Sequence, residues 1–272
     1  QVTGFTSSQI AALRSDQILS LETEDLAGFT TTQIGAFTTA QIVALNTQQV
    51  AALKSAQVAA LSTLQLSALG TEDIVAFKTA QIAALTTAQV RSLANDRLRA
   101  LETEDLAAMG TVQLAALSTS QIVALESVDV AAIKSANLSA LSTDQIRALE
   151  TEDIFAFSTA QIAALTAGQF EALEARHIVA LETADIAGLK TAQVAALSAT
   201  QAPSLSTADI VAFSSTQVAA LSTSAIRALD TAQLLALETA DIAALLTSQV
   251  TALQDAQLRA LPDTDLRALK SA

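Results

Sequence analysis

The sequence predicts an all-α chain, a superhelical solenoid of very short helices, one per eight-residue repeat, with three to four repeats in each turn. Three observations predict it. A first apolar series runs through Ile10, Ile18, Leu26, Ile34, Ile42, Val50 and Val58 and continues every eight residues to Leu266, with Ala202 its one departure from large residues. A second follows three residues behind, through Leu13, Leu21, Phe29, Phe37 and Leu45 to Leu269, with small residues such as Ala12, Ser20, Gly28 and Gly188 between the two. A hydroxyl position, Ser7, Ser15, Thr23, Thr31 and onward, completes the pattern x-[ST]-x-[QD]-[ILV]-x-[AGS]-[LF]. Internal periodicity of this kind decides the fold before local propensity does.

Each part of the octet narrows the architecture. Apolar residues three apart lie on opposite faces of a strand, so strands cannot carry the pattern. An unbroken helix fails as well, because eight residues at ~100° each turn the apolar stripe by roughly 80° per octet. Something must reset the direction once in every repeat. Ser, Thr, Asn or Asp fills the hydroxyl position in 30 of 33 octets, and such residues favour helix N-caps. Thr23, Thr31, Thr39, Thr79 and Thr87 are therefore read as N-caps, which places Gln81 at N2 and Ile82 at N3. The pairs Ile10 and Leu13, Ile82 and Leu85, and Ile162 and Leu165 are read as core. One octet cannot stand alone: two large apolar side chains contribute ~3–6 kcal/mol on burial, while ordering eight residues costs on the order of 12 kcal/mol. Stacking of turn on turn must supply the difference, so residues 1–272 are read as a single continuous solenoid.

Asp replaces Gln at Asp25, Asp73, Asp105, Asp129, Asp153, Asp185, Asp209, Asp241 and Asp265, at successive intervals of six, four, three, three, four, three, four and three octets. Lys78, Lys134, Lys190 and Lys270 each follow one of these by five. This slower period points to one acidic face of the superhelix, able at most to bind divalent cations weakly. Residues 166–205 depart from the rules: Ala167, Ala175 and Ala199 replace the expected caps and Ala202-Pro203 interrupts an octet. Thr166, Ser198 or Thr200 offers a cap with a one-residue shift, but Glu174-Ala175-Arg176-His177 has no substitute hydroxyl nearby; with each lost cap costing about 1 kcal/mol, this segment is expected to be the softest.

Composition excludes several functions. With Lys+Arg 14 against Asp+Glu 27 and a net charge of −13, the chain lacks the basic surface that nucleic-acid binding needs. It has no Cys, hence no disulfide frame or thiolate metal site. A mean hydropathy of +0.44 argues against disorder. Polar residues interrupt every octet, so no run approaches the roughly 18 apolar residues of a membrane span. His177 is the one imidazole and has no second His beside it in sequence, so it reads as structural rather than as a metal ligand. No phosphate-binding glycine loop and no nucleophile–His–acid arrangement is present, so no enzyme and no cofactor is expected. Thr pairs such as Thr30-Thr31 invite an ice-binding reading, but the first position varies among Arg, Glu, Lys, Ser and Gly. Asn137-Leu138-Ser139 fits a glycosylation sequon.

Leu85-Thr86-Thr87-Ala88-Gln89-Val90 and Thr79-Ala80-Gln81-Ile82-Ala83-Ala84-Leu85 resemble the L-[TS]-T-x-Q-[IV]-x-A-L repeats of very large bacterial secreted or surface proteins. The resemblance covers the whole chain and implies an extracellular or cell-surface structural or adhesive role. The motif is also similar to the opening of TAL-effector repeats, but those are about four times longer and carry basic loops. Neither end carries an atypical capping repeat, which leads to the expectation of a self-partner: a fibre or stalk built by head-to-tail stacking, or a longer array. The alternative is a non-catalytic adhesion or protein-binding module.

Overall fold

The computed structural model describes residues 2–269, and among them there are 32 α-helices of four to six residues, two 3-10 turns and no strand. Two compact units are distinguished by their internal packing, Gln1–Ile133 and Lys134–Ala272, while the octet spacing of the sequence is the same in both. Each unit is a solenoid of octets. Some helices, such as Thr39–Val43, add one αR residue before the corner, while others, such as Thr47–Ala52, run straight into its two extended residues, Leu53 (φ −60°, ψ 142°) and Lys54 (φ −73°, ψ 152°). These are polyproline-like angles open to any residue, and no described residue has positive φ. The corner therefore needs no glycine.

Within a unit, helices three octets apart pack together, as Thr31–Gly35 does with Ser55–Ala60 and Thr191–Ala195 with Ser215–Ala220. Side-chain hydrogen bonds from Gln41 reach slightly further, to carbonyls nearly four octets back. One turn therefore takes between three and four octets, as the sequence predicts. The core follows both apolar series: Ile10, Ile82 and Ile162 are wholly buried, and Leu85 and Leu165 nearly so. Leu13 is a correction, since it is only half-buried: its octet belongs to the first described turn, and no earlier one lies beneath it among the described residues. The small position serves close approach between turns. A Cβ on Gly188 would lie 2.7 Å from Cγ2 of Thr159, which belongs to the preceding turn.

The caps fall one residue earlier than the hydroxyl pattern suggests. Glu22, Thr30, Thr38, Lys78 and Thr86 are the N-caps, and Thr23, Thr31, Thr39, Thr79 and Thr87 occupy N1. Gln81 accordingly stands at N3, not N2. The expected softness of residues 166–205 loses its basis with this shift. Ala167 and Ala175 are N1 residues behind the N-caps Thr166 and Glu174, and Ser198 accepts from the backbone N–H of Gln201 in the cap role. What does change is the octet of Pro203, where a 3-10 turn, Ala202–Ser204, replaces the helix.

Candidate functional site

The N3 side chain is what the octets are built around. In Gln41, Oε1 accepts the N–H of its N-cap Thr38 at 2.8 Å, while Nε2 donates to the carbonyls of Ile10 at 2.8 Å and Leu13 at 2.7 Å, one turn back along the chain. Gln57, Gln89 and Gln121 repeat this in the first unit. Gln169, Gln193, Gln217 and Gln257 do so in the second. Both carbonyls lie at the C-terminal end of an octet one turn earlier, where the i+4 helix partner is missing; that of Ile10 also accepts Leu13 N at 3.0 Å. One buried carboxamide thus caps the start of its own helix and the end of another. Only Gln and Asn combine an acceptor with two donors in this way, and Gln has the reach.

This ladder explains why the N-cap residue varies so freely. Where it is Thr or Ser, as at Thr86, its hydroxyl also accepts the N3 backbone N–H. Where it is Lys78 or Lys190, no side chain caps, yet the N-cap N–H still donates to Gln81 at 2.6 Å and to Gln193 at 2.9 Å. Even the Pro203 octet keeps the tie: Gln201 accepts from Ser198 N and donates to Phe170 O and Leu173 O.

The nine Asp residues share this N3 position, and this corrects the acidic face. Asp105, Asp129, Asp153, Asp185, Asp209, Asp241 and Asp265 are buried, and Asp25 and Asp73 half-buried. An ionised carboxylate accepts but cannot donate, so it cannot bind the carbonyls that Gln binds. It takes instead a hydroxyl from an N1 residue of the preceding turn: Thr103 to Asp129 at 3.0 Å, Thr183 to Asp209 at 3.2 Å, Ser215 to Asp241 and Thr239 to Asp265 at 2.7 Å. In these octets that bond occupies the N1 hydroxyl, whereas the N1 hydroxyl of Ser55 donates to Ala80 O. Burial raises the pKa of Asp105 and Asp129, and the hydroxyl bonds from Thr79 and Thr103 oppose the shift. The exposed acidic groups are neighbouring glutamates, among them Glu22, Glu24, Glu72, Glu102 and Glu104 in the first unit and Glu150, Glu152, Glu182 and Glu238 in the second. Of the lysines that follow an Asp by five, Lys270 lies outside the described residues.

Besides the Asp octets, two further N3 positions break the ladder. Ala225 leaves its part to Ser222, whose hydroxyl donates to Leu197 O in the preceding turn at 3.4 Å, and the buried Nε of Arg97 has no hydrogen-bond partner among the described residues. His177 keeps the ladder in altered form. It is wholly buried, with Nδ1 accepting from Glu174 N and Nε2 facing Leu149 O, both at 2.9 Å.

The surface carries a feature that the core pattern does not anticipate. The residue after the first apolar position is half-buried or exposed and usually small or charged, and it is large, apolar and exposed at Leu19, Val43, Val75 and Val123 in the first unit and Phe155, Val179, Val211 and Leu235 in the second. Within a unit these recur at steps of three or four octets, except that Arg99 stands between Val75 and Val123. Leu19 and Val43 sit on helices that pack together, as do Phe155 and Val179, and Val211 and Leu235. Each unit therefore bears an apolar ridge with about one residue per turn. Its signal lies in the octet alignment, at a position the core pattern leaves unassigned.

The described residues form no pocket, and no group of three or more His, Asp or Glu among them is placed to hold a metal ion. No described helix is long and apolar enough to cross a membrane. The sequence profile of the ALTTAQ repeat matches in eight overlapping copies, at residues 18–55, 51–79, 66–101, 98–132, 122–154, 146–181, 178–215 and 202–237. No curated protein matches the chain.

Proposed function

The chain belongs to the ALTTAQ repeat family, and on that premise we propose that it is a structural, non-catalytic repeat protein that extends by end-to-end stacking into an extracellular fibre or stalk. The glutamine ladder is the observation that carries this reading. Gln9 and Gln17 stand at ladder positions in the first turn, their Oε1 atoms accepting from Thr6 N at 2.8 Å and Arg14 N at 2.9 Å, and no earlier turn among the described residues receives their Nε2 groups. An octet turn stacked there, from a second copy or from further array, would supply carbonyls in the same register as those Gln33 and Gln41 use. The extracellular setting is supported by the resemblance to repeats of large bacterial surface proteins.

A second reading is a binding or adhesion module, favoured by the apolar ridge, because solvent-facing Phe155 and Val179 do nothing for the core. Electron microscopy of the purified chain at micromolar concentration separates the two. Regular filaments one solenoid wide are expected; dispersed monomers would overturn the fibre and leave the module.

A further inference from the structure

We propose that His177 is an acid-sensitive clip, holding the turn between helices Thr151–Ala156 and Ala175–Val179 while its ring is neutral and releasing it on protonation. The geometry requires a neutral ring. Nδ1 accepts the N–H of Glu174 at 2.9 Å, which places the ring's one proton on Nε2, where it is donated to Leu149 O at 2.9 Å. A second proton would have to sit on Nδ1, setting donor against donor at the helix N-cap. Gln has no such failure, since its carboxamide does not titrate in this range.

The surroundings mix both signs. On the ring's own helix are Arg176 and its N-cap Glu174, joined by a salt bridge at 2.9 Å. The helix packed beneath, Thr151–Ala156, brings Glu152 and Asp153 with its N-cap Glu150, and the packed turn Ala202–Ser204 brings no charge. Burial pushes the imidazole below its ordinary value; Arg176 adds to this, while the Leu149 carbonyl, Glu174 and Asp153 oppose it. The sign follows. A group whose folded pKa lies below its unfolded value of about 6.5 binds more protons unfolded, so its contribution to stability is full above that value and is lost as pH falls below it. The clip is thus closed at neutral pH and loses its hold as pH falls below 6.5.

The chain has one His, so the imidazole resonance of the full chain is unambiguous. In the folded protein it is expected to titrate below 6.5, with backbone amide exchange in residues 145–181, corrected for the intrinsic pH dependence, rising ~tenfold between pH 7.5 and 5. H177Q, the residue most octets use here, should fold and lose that rise. H177A should exchange faster at both pH values with no acid-dependent step at this turn. An imidazole that titrates at about 6.5 in the folded chain, or an acid-dependent rise that persists unchanged in H177Q, would overturn the proposal.

Discussion

At the scale of single residues, one polar side chain decides how a turn is held. Gln193 bonds Lys190 N, Ile162 O and Leu165 O in the buried interior, and a typical hydrogen bond is worth ~1 kcal/mol net, more when its loss leaves a buried group unpaired. Gln193→Ala is expected to destabilise the second unit by about 2–4 kcal/mol, measured by local hydrogen exchange, because repeat arrays need not unfold in one step. Asp129 is the reverse case. Its raised pKa means that its carboxyl is most favourable to the fold below the ordinary 3.8 and loses that advantage as pH rises through the folded value. Asp129→Gln should therefore stabilise the first unit by about 1–2 kcal/mol at pH 7, with the gain shrinking toward pH 3. A gain that is constant with pH would show that the carboxylate is not at fault. The sequence marks this position plainly as Gln or Asp. It cannot show that the side chain points inward, because the carbonyls it serves belong to a different turn, several octets away in sequence.

At the scale of the element, the octet as a short helix and a corner is legible from the two apolar series together with the recurring hydroxyl. The cap is displaced by one residue for a physical reason. Ser and Thr recur most steadily at N1, where residues such as Thr103 and Thr239 bond an Asp in the following turn, while the N-cap itself is free to vary because Gln caps from N3. Two substitutions distinguish the positions. Thr166→Ala removes an N-cap hydroxyl that accepts Gln169 N at 3.2 Å and should cost about 1 kcal/mol. Ala175→Thr, which would restore the hydroxyl the octet pattern calls for, should change stability by less than about 0.5 kcal/mol, as for an ordinary surface substitution. Thermal unfolding of both variants checks this, and equal effects would return the cap to N1. The close approach at Gly188 could not be read from the pattern, since most octets carry Ala there. Whether a Cβ is tolerated depends on how near a particular Thr methyl comes.

At the scale of the whole molecule, net charge opposes the end-to-end stacking proposed above. Copies carrying −13 repel over a Debye length of roughly 10 Å at 0.1 M salt, so end-to-end growth should lengthen as salt rises from about 0.02 to 0.5 M. Light scattering reads this directly, and growth that weakens with salt would contradict stacking against charge repulsion. The apolar ridge makes a separate prediction: Phe155→Ser with Val179→Ser should leave thermal stability nearly unchanged, within about 0.5 kcal/mol, because both side chains face solvent. A large loss would place them in the fold rather than on a surface. The ladder underlies all of these expectations, and solution NMR of the side-chain carboxamides tests it most directly. In the unstacked chain the Nε2 protons of Gln193 and Gln89 should exchange with solvent orders of magnitude more slowly than those of Gln9 and Gln17, which have no earlier turn among the described residues; equally fast exchange at all four would contradict the ladder.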